Sequence, residues 1–524
     1  MWYNGKKMKC GETMARKYYA IIDVGSNTMR LVIYLRDKGG RLREVENVKA
    51  VARLRNHLME DGLLSTEGIQ TLLNTLRSFK EVAEAYELEE MVCVATATIR
   101  QAKNQHEIIH QVSEQTGFDM RILTDQEEAF YGYLAVANST PVSEGITVDI
   151  GGGSTEITYF KDRYLVEYHS FPFGALTLKQ DFFKKDLPTE EEMSELRHYL
   201  LEQFQTLPWL KKPNIPIIGI GGGARNLVQI DQNLKEFPLA GLHQYKMRDS
   251  DLAFIKSYLF ALPMEKIQKI EGLSKDRADI ILPATEVFHS LYDCVQSCGF
   301  ILSRKGLRDG IFYEQLTRDM GTSLFPNVLE ESIQELINDY DLNVKQIQHV
   351  QHLAYCLFHQ LQDRGIGDLR KQDWQEVKRA SYVFNLGDYI DNESSSQHTF
   401  YLLANRTIDG LMHMERLRMA LMASFKNKTV YKQFLQPYKK WFLKEEQKKI
   451  RLLGSLLKFC YSLDSTRRQA VSALTVTSEG EGLHITLHCN GEWMPEEYQA
   501  EKQKKHLEKS LKRTIALSFV ENKK

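Results

Sequence analysis

Two short elements of the same design constrain the fold of this chain more than any other feature of its sequence. In each, an apolar run ends in an aspartate, Asp23 or Asp149, and a turn of small residues and a second apolar run follow. The runs predict strand, tight polar turn and strand. Because glycine lets the backbone approach an anion closely, such a turn can present N–H groups and hydroxyls to phosphate oxygens, while the aspartate can hold Mg²⁺ or its waters.

A third glycine turn follows the apolar run from Ile215 to Ile220. Its local pattern leaves close packing and ligand contact equally open. Neither of the first two turns continues into Gly-Lys-Ser/Thr, so the Walker type of phosphate loop is excluded. The three turns together predict these phosphate-binding residues: Gly25, Ser26, Asn27, Thr28, Gly151, Gly152, Gly153, Ser154, Thr155, Gly221, Gly222 and Gly223.

Two further segments carry groups that suit phosphate chemistry. Glu127 and Glu128 stand at the start of a predicted helix, where acidic residues commonly only complement the helix dipole. The functional alternative is that one carboxylate orients or deprotonates a water for attack on phosphorus. Arg100 follows a predicted strand and either clamps a phosphate or forms a surface ion pair.

Composition bounds the class of protein. The 524 residues carry a net charge of −1, so global charge selects neither a nucleic-acid nor a membrane partner. No apolar stretch approaches the ~20 residues of a transmembrane helix, and the polar N-terminus lacks a secretory core. The seven cysteines are an odd, scattered set, which favours a reducing cytoplasm over a disulfide framework.

Glycine usage predicts the domain organisation. Residues 1–315 hold 23 of the 32 glycines, which favours mixed α/β structure there and mostly helical structure behind it. Two α/β units of similar plan are predicted, a weak internal repeat in structure rather than in sequence. The expected divisions are a disordered leader at 1–16, α/β domains at 17–138 and 139–315, a mostly helical domain at 316–510 and a basic tail at 511–524.

Seven motifs, in one order along about residues 18–315, resemble the exopolyphosphatase and guanosine-pentaphosphatase (Ppx/GppA) family. They are the segments Tyr19 to Leu31, Ala95 to Asn104, Gln126 to Ala129, Thr147 to Glu156, Phe173 to Ala175, Gly219 to Gly223 and Gly272 to Ile281.

The resemblance implies two actin- and hexokinase-like domains of the ribonuclease-H type, with the active site in the cleft between them. It further implies removal of terminal phosphates with Mg²⁺, and K⁺ is a candidate activator. The family's catalytic glutamate corresponds to Glu128, with Glu127 beside it, and its motif arginine to Arg100. The metal and phosphate residues implied are Asp23, Asp149 and Glu156.

The back part of the chain resembles the helical domain of longer family members, which is related to His-Asp metal phosphohydrolases. Where such a domain would carry His-Asp, this sequence has Asn385-Leu-Gly-Asp388. We therefore expect a dimerisation or polyanion-binding part rather than a second active site, and a homodimer. A lysine-rich stretch that includes Lys448 and Lys449 is either a solvated helix or a track for polyphosphate.

Four functions compete. The first is an exopolyphosphatase that releases orthophosphate from inorganic polyphosphate. The second is a guanosine-pentaphosphate phosphatase of the stringent response, which the motifs do not separate from the first because both substrates end in the same phosphoryl group. The third is a binding regulator of these compounds without turnover, and the fourth is a sugar kinase, against which the family-specific motifs argue.

Overall fold

The computed structural model describes residues 17–36, 42–318 and 321–522. The predicted leader at 1–16 lies outside the described residues. The chain divides into two compact units, one of residues up to Lys235 together with Leu242–Pro326, and one of Glu236–Gly241 together with residues from Asn327 onward. Within the described residues, no helix is both long enough and apolar enough to cross a membrane.

The first unit begins with an α/β half built on one mixed sheet. Its strands are β1 (Lys17–Val24), β2 (Thr28–Arg36), β3 (Leu42–Val51), β4 (Leu88–Ala95) and β5 (Met120–Ile122), in the order β3-β2-β1-β4-β5. Its helices are α1 (Thr66–Ala83), α2 (Ala97–Gln101), α3 (Gln105–Thr116) and α4 (Asp125–Ala137). Apolar residues of the central strands and of α1 and α3 form its core.

The second α/β half repeats this plan. Its strands are β6 (Gly145–Ile150), β7 (Thr155–Lys161), β8 (Tyr164–Phe171), β9 (Ile217–Ile220), β10 (Lys246–Met247) and β11 (Phe300–Leu302), in the order β8-β7-β6-β9-β11-β10. Its helices are α5 (Ala175–Phe182), α6 (Glu190–Gln205), α7 (Gly221–Leu234), α8 (Asp249–Phe260), α9 (Met264–Ile267), α10 (Ile281–Val295) and α11 (Leu307–Thr317).

The two sheets share one topology. In each, the first strand pairs antiparallel with the second and parallel with the fourth: β1 with β2 and β4, and β6 with β7 and β9. Both sheets place the glycine turn between their first two strands, at the carboxyl end of the first. The predicted internal repeat and the predicted pair of actin- and hexokinase-like domains are thus confirmed.

The second unit is mostly helical. Its elements are α12 (Val328–Asp339), α13 (Val344–Asp363), α14 (Lys371–Tyr382), α15 (Ser395–Asn405), α16 (His413–Ala423), α17 (Lys428–Leu435), α18 (Lys444–Ser462), β12 (Val471–Glu479), β13 (Gly482–Cys489), α19 (Met494–Leu511) and β14 (Ile515–Glu521). The three strands form one sheet in the order β12-β13-β14, and its buried side chains join the helical core.

Two predicted boundaries differ from the structure. The helical unit begins at Asn327 rather than at 316, because the preceding segment is bonded to the α/β unit: Asn138 donates to the Ser323 carbonyl at 2.8 Å and accepts from the Phe325 N–H at 2.9 Å. The predicted basic tail at 511–524 contains β14, which pairs in parallel with β13 through the register Leu483 to Ile515. Composition alone misjudged this segment, because its apolar residues Ile515, Leu517 and Phe519 alternate as in a strand.

Candidate functional site

The two glycine turns have the same backbone geometry. The Gly25 N–H donates to the Thr28 carbonyl at 3.1 Å, and the Gly151 N–H donates to the Ser154 carbonyl at 2.9 Å. The turns also meet: a Cβ added at Gly152 would lie 3.1 Å from the Cβ of Ser26. Two similar hairpins, one from each α/β half, therefore bring their turns together at one place.

Helix α5 orients the second turn. Its first N–H groups, those of Ala175 and Leu176, donate to the carbonyls of Gly151 at 2.9 Å and Gly152 at 3.0 Å. The carbonyls of this turn are thus directed at the helix. Phe173 to Ala175, a motif with no evident chemistry in the sequence, acts by holding the turn in this orientation.

Between the two halves lies a cavity of about 390 Å³ that collects most of the predicted site. Thirteen of the eighteen predicted residues line it: Asp23, Gly25, Ser26, Asn27, Thr28, Glu128, Asp149, Gly151, Gly152, Ser154, Glu156, Gly221 and Gly222. The other five, which lie outside its lining, are Glu127, Arg100, Gly153, Thr155 and Gly223.

Side-chain direction explains why three of these five do not line the cavity. The Glu127 carboxylate closes the capping box of α4, accepting from the N–H of Thr124 at 2.8 Å, and pairs with Arg121 at 2.9 Å. Thr155 is fully buried and donates its hydroxyl to the Phe173 carbonyl at 2.7 Å. Gly223 packs against α10, where an added Cβ would lie 3.4 Å from that of Ala284.

Gly153 and Arg100 lie close to the cavity without lining it. An added Cβ at Gly153 would lie 3.7 Å from both the Arg55 side chain and the Ser26 hydroxyl. Arg100 donates to Glu128 at 3.0 Å and to the Leu123 carbonyl at 2.8 Å, and it also contacts Asp125. Arg100, the predicted phosphate clamp, is thus paired with Glu128 and Asp125.

Three carboxylates of the cavity, those of Glu128, Asp149 and Glu156, have pKa values that neighbouring carboxylates raise further. Burial raises the pKa of Glu128 to about 7; Arg100 opposes this shift, while Asp149 and Asp23 add to it. Burial, reinforced by Asp23, raises the pKa of Asp149 to about 6. Burial, then Glu128 and Asp149, raise the pKa of Glu156 well above its ordinary value. Such a cluster favours either protons or a cation.

Gly221 fixes the position of one of these carboxylates. Its φ of +83° is the left-handed conformation that glycine adopts without strain, and an added Cβ would lie 2.5 Å from Asp149 Oδ1. Gly221 to Gly223, the predicted third turn, are the first residues of helix α7, and Gly221 contacts the aspartate of the second hairpin directly. Gly221 and Gly222 line the cavity, so they can contact a ligand. Gly223 packs against α10 instead.

The side-chain amide of Asn27 is a buried polar group in the cavity lining that lacks hydrogen-bond partners within the protein. It is 7% exposed, and neither its amide nitrogen nor its amide oxygen has a hydrogen-bond partner within the protein. An unpaired buried amide costs free energy, so a ligand in the cavity would satisfy it. The backbone around it is anchored, because the Asn27 carbonyl accepts from the Arg53 N–H at 2.9 Å.

Comparison with known proteins agrees with this geometry. The model of the Ppx/GppA phosphatase family matches residues 32–319, and that of domain III of Ppx/GppA phosphatases matches residues 328–510. The chain belongs to the Ppx/GppA phosphatase family. Family members are phosphatases, which supports a hydrolase.

Two solved structures show how far the likeness extends. The Aquifex aeolicus member of the Ppx/GppA family is 29% identical and matches over 59% of this chain and 100% of its own, with a TM-score of 0.52. An exopolyphosphatase from Cytophaga hutchinsonii is 20% identical over 59% of this chain and 100% of its own, with a TM-score of 0.53. The second likeness concerns the fold alone.

Sequence reasoning about this Ppx/GppA protein missed the cationic side of its cavity. Six cationic side chains share the cavity lining with the carboxylates: Arg30, Lys49, Arg225, Arg277, Arg304 and Arg308. Burial, together with the charges of four of the other arginines, lowers the pKa of Arg225 to about 10. Three of these residues lie within or next to family motifs, so the sequence could have indicated them: Arg30, Arg225 and Arg277. No motif includes the other three, Lys49, Arg304 and Arg308.

The carboxylates of the cavity are ligands of the type that Mg²⁺ prefers. Aspartate and glutamate oxygens are the hard ligands that Mg²⁺ prefers, and it is usually held by one or two carboxylates plus substrate phosphates. Across residues 17–36, 42–318 and 321–522, no group of three His, Cys, Asp or Glu residues could hold a metal. Asp149 and Glu156 are neighbours on paired strands, so they fit a site that substrate phosphates would complete.

Two lysines of the predicted track in the helical unit, Lys448 and Lys449, are paired within that unit. Lys449 is 2.9 Å from Asp373, and Lys448 is 2.7 Å from Glu445. In the segment that replaces His-Asp, the Gly387 N–H donates to the Thr399 hydroxyl at 2.8 Å. Lys448, Lys449 and Gly387 thus have partners inside the helical unit.

Proposed function

We propose that the chain hydrolyses the terminal phosphoanhydride bond of inorganic polyphosphate and releases orthophosphate. One observation carries this proposal: Glu128, a largely buried carboxylate whose side chain is 15% exposed and whose pKa is raised to about 7, lines the same cavity as both glycine turns. A general base works best when its pKa lies near the working pH, and phosphate turns supply the anion site that the base needs beside it.

The reaction is an attack of water on the terminal phosphorus. The new bond joins the water oxygen to phosphorus, the bond from phosphorus to the bridging oxygen breaks, and the shortened chain leaves with that oxygen. Glu128 would accept the proton of the water, with Arg100 holding the carboxylate in place. The turn N–H groups and the arginines would stabilise charge on the phosphoryl oxygens.

Mg²⁺ belongs to this proposal as a counter-ion. Asp149 and Glu156 would hold it, Asp23 would lie nearby, and when bound it would neutralise the terminal phosphates. The Asp23 carboxylate already has a cation, since Arg308 lies 3.3 Å from it. Asp149 and Glu156, whose pKa values are raised largely by burial and neighbouring acids, are therefore the stronger candidates.

The composition of the cavity favours an inorganic chain over a nucleotide. Six cationic side chains line it, while its described lining contains no aromatic side chain that would stack on a base. All the carboxylates that the family resemblance implies for turnover are also present in the lining, apart from Glu127 beside the base. This argues for an enzyme over a binding regulator without turnover.

The test is phosphate release with Mg²⁺ from long-chain polyphosphate, guanosine pentaphosphate and ATP. We expect polyphosphate to be the best substrate and Glu128→Gln to lower the turnover number about a thousandfold, the range seen for removal of a general base. Glu127→Gln is the matched control, because this adjacent carboxylate lies outside the cavity. Preference for guanosine pentaphosphate would replace the substrate, and binding without release from any compound would favour the regulator.

A further inference from the structure

Four charged residues pair across the cleft between the two α/β halves. Lys49 on β3 lies 2.7 Å from Asp276, and Arg53, just after β3, lies 3.7 Å from Asp279. The cations belong to the first half and the acids to a segment of the second half, more than 200 residues away in sequence. We name Lys49, Arg53, Asp276 and Asp279 the cleft clamp.

The acidic residues of the clamp, Asp276 and Asp279, lie on a short segment that is anchored by hydrogen bonds to α7. Residues Lys275–Arg277 form a 3-10 helix that leads into α10. Asn226 of α7 donates to the Gly272 carbonyl at 3.0 Å and accepts from the Ser274 hydroxyl at 2.9 Å. One buried amide thus fixes the start of the segment to the second half, while the clamp fixes its middle to the first.

Arg277 is the cationic group that this segment carries into the cavity. Its guanidinium occupies the space beside Gly222 where a Cβ would otherwise lie, next to the front of the third turn. Asp276 precedes it directly and is bonded to Lys49. Any movement of the clamp would therefore move the backbone on which Arg277 is mounted.

The basic side of the clamp is tied to the first glycine turn. Arg53 adopts a left-handed backbone with φ 45°, and its N–H donates to the Asn27 carbonyl at 2.9 Å. Lys49 itself lines the cavity. The clamp thus connects the first turn, in one half, with Arg277 and the third turn, in the other.

We propose that the cleft clamp positions Arg277 against the phosphate chain and sets the distance between the two sides of the site. This inference rests on the proposed function for its substrate, a phosphate chain. Asp276 and Asp279 are positioning residues, since they act through Arg277. The ionisation of Asp276 at neutral pH agrees with this: burial raises its pKa, but the hydrogen bond and charge of Lys49 hold that pKa below its ordinary value.

The first test needs no substrate. The full chain with Asp276→Asn and Asp279→Asn is compared with wild type by amide hydrogen exchange at residues 277–280, whose N–H groups include those of Arg277, Ala278 and Ile280, bonded to Ser274, Lys275 and Arg277. We expect exchange there to become at least about tenfold faster, as expected when a locally stabilising contact is lost. Unchanged exchange would overturn the clamp whatever the substrate is.

The second test asks whether the clamp acts through Arg277. Binding of tripolyphosphate is measured in the Glu128→Gln background, which separates affinity from turnover. We expect the double variant to weaken binding about tenfold, and Arg277→Ala to weaken it more. Combining the three changes should weaken binding no further than Arg277→Ala alone, because residues that act through one group are not additive.

Outcomes of the second test are distinct from failure of the proposed function. If neither wild type nor the Glu128→Gln parent binds a phosphate chain, the proposed function fails, and the exchange experiment alone decides on the clamp. If the Glu128→Gln parent binds but the effects multiply, Arg277 is not positioned by the clamp. The matched control is Asp293→Asn, which breaks a 2.7 Å pair with Arg197 elsewhere in the second half and should leave binding within about twofold.

Discussion

The hairpins β1–β2 and β6–β7 have the same backbone arrangement but differ in the charge of one residue. In each, the aspartate at the end of the first strand faces a residue on the second strand: Asp23 faces Arg30, and Asp149 faces Glu156. The turn between them has the same hydrogen bond in both. A single position in a repeated element thus makes one hairpin nearly neutral and the other doubly acidic.

This difference in charge suits the two hairpins to different ligands. With Arg30 opposite and Arg308 at 3.3 Å, Asp23 stands among cations, so the first hairpin suits contact with an anionic chain. Asp149 and Glu156 lie in a carboxylate cluster that includes Glu128, so the second hairpin suits a metal ion and the base. An internal repeat can therefore supply opposite electrostatics from one geometry.

Among tests of the contrast between the two hairpins, the largest effect is expected from removing the charge that distinguishes them. Glu156→Gln should lower the turnover number about a hundredfold, as expected for loss of one electrostatic group at a reacting centre, and should raise the Mg²⁺ concentration for half-maximal rate. Arg30→Gln should instead raise KM for polyphosphate and leave the Mg²⁺ requirement unchanged. Titrating Mg²⁺ and substrate for both variants checks this, and the same response in both would break the contrast.

The second effect is on stability. The folded-state pKa of Glu156 lies above its unfolded value, so the native state holds the extra proton and stability falls as pH rises from the ordinary glutamate pKa through the folded-state pKa. Glu156→Gln removes this loss. We expect the variant to exceed metal-free wild type in free energy of unfolding at about pH 8 and nearly to match it at about pH 4, below the ordinary pKa of glutamate.

Urea unfolding at the two pH values, without metal, makes the measurement. Arg30→Gln is again the comparison, since it does not remove an acid. An advantage of the Glu156→Gln variant that is equal at both pH values would mean that packing, and not the charge of the carboxylate, accounts for it.

How much of the site the sequence predicts depends on how local each feature is. The hairpins were predictable because strand, aspartate and glycine turn are contiguous, and both turns reach the cavity as expected. Within the second hairpin, however, Thr155 faces away from Ser154 and Glu156, since successive side chains of a strand point to opposite faces. Glu127 and Glu128 are likewise neighbours in sequence, but their side chains leave helix α4 in different directions.

The cationic residues were less predictable because the fold alone brings them together. Arg308 reaches Asp23 from the start of α11, and Lys49 reaches Asp276 from an edge strand. No spacing in the sequence connects such pairs. The topology of two repeated sheets was implied by the family resemblance, but the partners across the cleft required coordinates.

A smaller effect is expected from removing Arg100, the cation that is paired with Glu128. Arg100 lowers the pKa of Glu128 against the effect of burial, so Arg100→Met should raise that pKa above about 7. The acid limb of kcat/KM against pH then moves upward, and for a rise of about one pKa unit the rate at about pH 7 falls about fivefold, because the ionised fraction of Glu128 falls by that factor; the loss should vanish above about pH 9. Arg100→Lys should restore most of the wild-type profile, and a loss independent of pH would show that Arg100 acts otherwise.

The smallest effect tests the position where the hairpins differ without chemical consequence. Thr155 stands where the first hairpin has Met29, and both side chains are fully buried. Thr155→Val keeps the shape of the side chain but leaves the Phe173 carbonyl without its donor, which costs about 1 kcal/mol in free energy of unfolding. Turnover should stay within about twofold, because the hydroxyl faces Phe173 and not the cavity. Steady-state rates and urea unfolding of the one variant separate the two roles, and a loss of rate of about a hundredfold with normal stability would return Thr155 to the phosphate-binding set.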